Sequence, residues 1–259
     1  MGVGFGDALR EWRTRRRYSQ MELGFCSNVS ARHISFLETG RARPSRGMVM
    51  RLCEELEVPY RSRNTLLSSA GFAPAYGNRT FSESDMTPVK SAVGWMLTRH
   101  EPFPALAMDR HWRISQMNHP AENLLGSAGI AAGDSLLDAM LENEALRSAI
   151  ENLDEVLLHI RTRLRTESAH VGGDDVLEDW LGRAGELFGG EASQSDGILP
   201  PFVPTRYRLG DVGLSLLSVF SLFGTAEDIA LAELRVELMF PADDATRLTL
   251  EAMAPRSNS

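Results

Sequence analysis

The chain has 259 residues, 43% of them hydrophobic and 24% charged, which is ordinary for a soluble protein and long enough for two domains with real cores. Its net charge of -8 hides a division: up to Thr80 there are 13 Lys+Arg against 7 Asp+Glu (+6), and beyond it 14 against 28 (-14). A basic front on an acidic body points to an anionic partner for the front alone, with the acidic part repelling nucleic acid and keeping contact local. The N-terminus is rich in Arg without an apolar run, and the most hydrophobic later stretch, Leu214 to Phe223, is too short to span a bilayer, so a cytoplasmic protein with no membrane contact is expected. Cys26 and Cys53 fall at core-like helical positions with no Cys/His cluster around them, and read as reduced packing residues.

Phe5, Leu9 and Trp12 recur at i, i+4, i+7 and predict a first helix whose other face carries Arg10, Arg13 and Arg16. Ser19 with Glu22 three residues on is a capping box, so a second helix begins at Gln20. It breaks at Ser27-Asn28-Val29, after which Ser30 caps a third helix that ends at Gly40. Two helices joined by so few residues cross steeply. In the third, Ile34, Leu37 and Glu38 share one face while Arg32, Ser35, Phe36 and Thr39 look outward. Such an outward face suits the major groove of DNA, where Arg pairs with guanine and an apolar group meets a thymine methyl; an ordinary surface helix is the alternative. Arg41 and Arg43 beyond it are placed to touch phosphates, or form a solvated basic loop. Pro44-Ser45 starts a fourth helix with a stripe of Val49, Leu52, Cys53 and Leu56, and Tyr60 to Ala70 completes a five-helix bundle stopped by Gly71.

The aperiodic run from Phe72 to Met86 reads as a linker. The expected layout is a DNA-binding domain over 1–72, a linker over 73–87, a second domain over 88–254 and a tail over 255–259. Thr87-Pro88 opens a helix striped by Val89, Val93, Met96 and Leu97. Residues Ala105 to Asn118 read as a hairpin around Asp109-Arg110-His111, with Asn118 orienting the next helix. Leu153, Val156, Leu157, Ile160 and Leu164 share one face of a long helix with Arg161 and Arg165 toward water, and Val176, Leu177, Trp180, Leu181, Leu187 and Phe188 repeat the pattern. Gly189 to Pro204 reads as a loop. Three strands follow, Phe202 to Leu209, Gly213 to Leu222 and Ala230 to Phe240, then a helix over 242–252. The last strand alternates as if one face were dry, and the one before it has few polar groups on either side, as a doubly buried strand would. The fold class is α+β.

The order Leu9-Arg10, Arg13, Ser19-Gln20, Leu23, Val29-Ser30, Ile34, Leu37-Glu38, Gly40-Arg41, Pro44-Ser45 and Leu56 resembles the lambda-repressor-like, Xre-type helix-turn-helix domain. With the phrases LLSSAGFAPAY, PFPALAMDRHWRISQMNHPAENLLG and FGTAEDIALAELRVELMFPADDAT, nearly the whole chain resembles the MmyB-like (MltR-type) bacterial regulators, least so from Gly172 to Pro204. That resemblance implies an N-terminal all-α five-helix domain followed by a PAS-like antiparallel five-stranded sheet with flanking helices, and a ligand-responsive transcription regulator. It implies that Arg13 pairs with Glu38 behind the recognition helix, that Gln20 bonds the DNA backbone, and that Ala31, Arg32 and Phe36 stand at base-reading positions. Phe36 departs from the polar residue of well-known repressors. Ser30 and Ser35 complete the candidate DNA-binding set with Arg41 and Arg43.

A PAS-like sheet faced by amphipathic helices can enclose a cavity, and Trp95, Met96, Trp112, Met117, Leu157, Phe220 and Leu222 are candidate linings, core filling being the alternative for each. With no glycine-rich phosphate loop, the composition favours a small hydrophobic ligand such as a long-chain fatty acid or acyl molecule over a nucleotide or flavin. A carboxylate head would take a cation from Arg113, Arg206 or Arg235, the last of which pairs alternatively with Glu233 or Glu237. No other cofactor, no metal site and no catalytic constellation is expected, despite His100, His111, His119, His159 and His170. The expected partners are double-stranded operator DNA, the ligand and a second copy of the chain. A second domain that only dimerises is the alternative, and an enzyme on that domain a third reading.

Overall fold

Apolar residues at helical spacing close the front of the chain into five helices: α1 (Phe5–Arg15), α2 (Gln20–Cys26), α3 (Ala31–Glu38), α4 (Arg46–Glu55) and α5 (Tyr60–Ser69). The architecture is that of a computed structural model, which describes residues 4–77, 86–188, 202–222 and 228–254. Leu9, Trp12, Leu23, Ile34, Leu37, Leu52 and Leu67 are the centre of the helical core. Two glycines allow the helices to approach: a Cβ on Gly6 would lie 2.5 Å from the Glu38 carbonyl oxygen, and one on Gly24 would lie 2.5 Å from that of Val29. Only a residue without a side chain fits at either place. Cys53 is buried in this core, and burial pushes its thiol up to about 12. Cys26 corrects the expectation: as the last residue of α2 it turns away from Leu23 and is exposed.

The chain divides into two compact units near Asn78. Part of the stretch expected as linker is tied to α5, since Asn64 Oδ1 accepts from the backbone N–H groups of Ala75 and Tyr76, and the Tyr76 ring stacks on Tyr60 at 4.3 Å. Residues 78–85 of that stretch, residues 189–201 of the predicted loop and the 255–259 tail lie outside the described residues.

The second unit begins with α6 (Thr87–Arg99), in which Thr87 is already helical and not the expected cap. The hairpin β1 (Ala105–Met108) and β2 (Ile114–Met117) follows. Helices α7 (His119–Gly126), α8 (Leu136–Glu142), α9 (Glu144–Ala149), α10 (Leu153–Val171) and α11 (Asp175–Phe188) come next. Then come β3 (Thr205–Leu209), β4 (Val212–Leu222), a helical turn α12 (Ile229–Ala232), β5 (Arg235–Pro241) and α13 (Asp244–Met253). The strands form one antiparallel sheet in the order β2-β1-β5-β4-β3. The second unit is thus α+β as expected, but its last strand starts at Arg235, because residues 229–232 wind into α12.

Both faces of β1 are buried, and the residues differ by face. Ala105 and Ala107 lie with Val93 and Leu97 of α6 and Val236 of β5, small side chains that allow the helix to pack close. Leu106 and Met108 face the larger core with Leu157, Ile160 and Leu164 of α10 and Leu177 and Trp180 of α11. Val176 and Leu187, expected in the α11 stripe, are exposed at 51% and 57%, and Ala184 takes their place inside. Arg161 is half-buried, not turned to water, while Arg165 is exposed.

Asn118 joins the pieces. Its Oδ1 accepts from the N–H groups of Ala105 and Ala121, and its Nδ2 donates to the carbonyls of Leu97 and Phe103, all within 2.9 to 3.1 Å. One buried side chain so fixes α6, β1 and α7 together.

Candidate nucleic-acid interface and ligand cavity

The capping box at Ser19 forms as read: Ser19 N–H donates to Glu22 Oε2 at 2.7 Å and Glu22 N–H to Ser19 Oγ at 3.1 Å. Ser30 Oγ accepts from His33 N–H at the start of α3. Between the helices Asn28 takes φ +53, a left-handed conformation that Asn tolerates. α3 is braced from behind by a buried carboxylate. Glu38 accepts from Arg13 Nε at 2.6 Å and from its Nη2 at 3.1 Å, while Arg13 Nη1 donates to the Tyr18 carbonyl at 2.7 Å. The bond to Glu38 holds the Arg13 guanidinium above its ordinary pKa, against the opposing effect of burial. The pairing implied by the resemblance is therefore present, and Glu38 is taken up in structure.

Gln20 belongs to the same network, donating an amide N–H to Glu38 Oε2 at 2.8 Å. That commits one of its two amide hydrogens and fixes the side chain beside α3. On the outward face Arg32 is exposed and lies 5.2 Å from the Phe36 ring centroid, so the two side chains form one stacked element. Ala31, Ser35 and Phe36 are partly exposed, and Arg41 and Arg43 exposed. Arg32 and Phe36 are brought together on the outward face of α3, while Gln20 is held on the Glu38 side. Sequence reasoning passed over Met21 and Phe25 of α2, exposed at 72% and 89%; their i, i+4 spacing opposite Leu23 was the available signal.

In the second unit a cavity of about 310 Å³ lies between the sheet and α8 and α10, with Trp112, Met140, Ile160, Arg163, Phe220 and Glu237 among its lining. Of the seven apolar candidates it brings together Trp112 and Phe220, whose rings are 5.9 Å apart. Leu157 is core and Met117 packs at the core's edge. The others are corrections. Trp95 is 62% exposed with the Arg99 guanidinium 5.4 Å from its ring, Met96 packs against the separate small cluster of Val93, Leu97 and Val236, and Leu222 at the end of β4 is 60% exposed. Arg235 pairs with Glu167 at 2.7 Å, not with Glu233 or Glu237. The reason is register: β5 is the doubly buried strand, between β1 and β4, and α10 supplies the carboxylate over its first residue.

The cavity wall carries polar groups that the sequence pattern did not indicate. Glu237 stands opposite Leu106 on one side and Phe220 on the other, and is 5% exposed. Burial pushes its carboxyl above the ordinary carboxylate range, opposed by a 2.5 Å bond from Ser218 Oγ to Oε1 and by the nearby Arg163. Burial likewise raises the Tyr207 phenol, and Glu237 adds to that rise. Arg163 donates to Glu167 at 2.7 Å and lies 3.6 Å from the Phe220 centroid and 5.3 Å from the Trp112 ring. The other two cations expected to meet a carboxylate are engaged elsewhere, Arg113 with the Gly133 carbonyl and Arg206 with Glu155.

His111 bonds Asp174, but that carboxylate also accepts from the backbone N–H groups of Val176 and Leu177 and pairs with Arg110, so it caps α11. Burial pushes the Asp174 carboxyl up, yet the bond from His111 and the charge of Arg110 outweigh it and hold its pKa low. Among the described residues no group of three His, Cys, Asp or Glu side chains could hold a metal, and no helix is long and apolar enough to cross a membrane.

A helix-turn-helix bundle with an exposed recognition face, followed by an α+β unit with a walled cavity, defines a DNA-binding protein with a separate ligand-binding domain. Residues 89–253 match the family model of the MmyB-like transcription regulator ligand binding domain, and residues 5–66 match a helix-turn-helix domain. The chain belongs to the MmyB-like transcription regulators. No curated protein gives a significant match.

Proposed function

We propose that this transcription regulator binds a specific operator as a homodimer through α3, and that a small hydrophobic ligand in the second unit changes that binding. The reading rests above all on the outward face of α3, where Arg32 stands exposed and Phe36 partly exposed over a helix braced by the buried Arg13–Glu38 pair. A helix held rigid behind and unpacked in front is suited to enter a major groove. Gln20, Ser30, Ala31, Ser35, Arg41 and Arg43 surround that contact. Support for a ligand comes from the cavity, whose volume is within the ~300–1,000 Å³ of small-molecule sites. A long-chain fatty acid or other acyl molecule is the class proposed from composition.

Selection of binding sites from random DNA, followed by anisotropy titration of the selected duplex and of an unrelated one, tests the first half. Arg32→Ala is expected to weaken the selected duplex by about 1–3 kcal/mol and the unrelated one far less. Equal losses on both would leave Arg32 a phosphate contact and remove the base-reading role. A second domain that only dimerises is favoured by one observation, the partly exposed apolar pair Val219 and Phe240 on the outer face of the sheet.

A further inference from the structure

Three buried polar atoms along this cavity have no hydrogen-bond partner among the described residues: Trp112 Nε1, His159 Nε2 and Glu237 Oε2. Trp112 is 3% and Glu237 5% exposed, so water in bulk does not satisfy them. An unpaired buried donor or acceptor is costly, and native interiors leave few of them. Here they lie in the walls of one cavity, on three different elements: the β1–β2 turn, α10 and β5. Trp112 adds a second sign. Its backbone has φ +59, the left-handed region that a bulky residue rarely adopts, in the turn fixed by Asp109 Oδ1, which accepts from the N–H groups of His111 and Arg113. That strain is retained at a position whose indole reaches the cavity, which is where strained residues gather when they serve a ligand.

We propose that this cavity takes an apolar molecule with an uncharged hydroxyl-type head, whose oxygen accepts from the Trp112 Nε1 N–H and whose hydrogen is donated to Glu237 Oε2 or His159 Nε2. The assignment rests on reading the second unit as a sensor of an apolar molecule; it keeps the long apolar chain proposed above and replaces the carboxylate head of a free fatty acid with an uncharged one. A hydroxyl suits the site because it both donates and accepts: its oxygen takes the indole N–H, its hydrogen serves an acceptor, and either protonation state of Glu237 finds a partner in it. A carboxylate head suits it poorly. It would meet Glu237, and two acids in a secluded site cannot both ionise. The nearest cation, Arg163, is already bonded to Glu167 and stacked on Phe220, forming wall more than anion receptor. Apolar surface from Met140, Ile160 and Phe220 accommodates the rest of the molecule.

The test is calorimetric titration of the full chain with two probes of equal length, 1-decanol and sodium decanoate, at neutral pH. Decanol is expected to bind at least about tenfold tighter than decanoate, because an unpaired or repelled group in a polar subsite discriminates strongly. Trp112→Phe keeps the ring and removes the donor; it is expected to weaken decanol about fivefold and to leave decanoate little changed. Glu237→Gln keeps the shape and removes the acid; it is expected to raise decanoate affinity and narrow or reverse the preference. Decanoate binding as tightly as decanol to the unaltered protein overturns the head-group assignment and leaves the apolar sensor standing. A preference for decanol that neither substitution changes overturns the assignment of these residues. No binding of either probe overturns the assignment and with it the apolar-ligand reading of the domain.

Discussion

The two units solve the problem of buried polarity in opposite ways. In the helical unit Glu38 is buried but fully committed, held by two bonds from Arg13 and one from Gln20, and the buried Ser27 hydroxyl donates back to the Leu23 carbonyl. Among the described residues the buried side-chain polar atoms left without partners all lie in the second unit, and three of them face one cavity. A closed network fixes one geometry, whereas a partly satisfied one leaves buried polar groups whose cost is still to be met. The difference separates a unit whose buried polar side chains are committed from one in which several are not.

The largest expected effect tests the closed side. Glu38→Ala removes the acceptor of three bonds and leaves the Arg13 guanidinium, whose side chain is 13% exposed, uncompensated. A loss of about 3–5 kcal/mol is expected for breaking such a buried pair. It is read as faster hydrogen exchange in α1 to α3 with α10 and the sheet unchanged. A loss under about 1 kcal/mol would class the pair with surface ion pairs and dissolve the contrast. Asn118→Ala comes next, because it shows whether the second unit's frame is as tightly satisfied as the first unit's core. Four bonds go, and two backbone N–H groups and two carbonyls lose partners, so about 2–3 kcal/mol is expected from urea unfolding. Neutrality there would mean that water replaces the side chain and that the frame too is open.

What was legible in the sequence follows the same line. The turn between α2 and α3 is encoded in neighbours: Ser19 with Glu22, Gly24 against Val29, and Ser30 as cap act within a stretch of twelve residues. Such local chemistry can be read from the chain. Glu237 could not be, because alternation in β5 separates two faces without saying what covers each one. α6 covers Val236, and the helices α8 to α11 cover the face of Met239 and Glu237, so the side read as polar borders the larger core. β4 misled in reverse: its apolar residues suggested double burial, yet Val219 is 46% exposed where α6 does not reach. His159 and Arg163 stand at i, i+4 beside the Val156–Ile160 stripe of α10, a signal that becomes meaningful only once the cavity beneath is known. Periodicity finds faces, and only the fold says what a face meets.

The smallest expected effect is opposite in sign and sharpens the comparison most. Burial raises the Glu237 pKa above its ordinary value of 4.5, so the folded chain holds a proton that the unfolded chain has already released above that pH. The folded state binding more protons means that stability falls as pH rises from about 4.5 through the folded pKa, and that the group's favourable contribution is complete only below 4.5. At neutral pH, therefore, the Glu237 carboxyl opposes folding. Glu237→Gln does not titrate, and its amide oxygen still accepts from Ser218. The ligand-free variant is expected to be more stable than the parent at neutral pH by on the order of 1 kcal/mol, a rise of roughly 2–4 °C in Tm. Near pH 4 the two should melt together. A variant less stable at neutral pH, or a gain unchanged by acid, would mean that Glu237 is satisfied in the folded protein, and the second unit would then be as closed as the first.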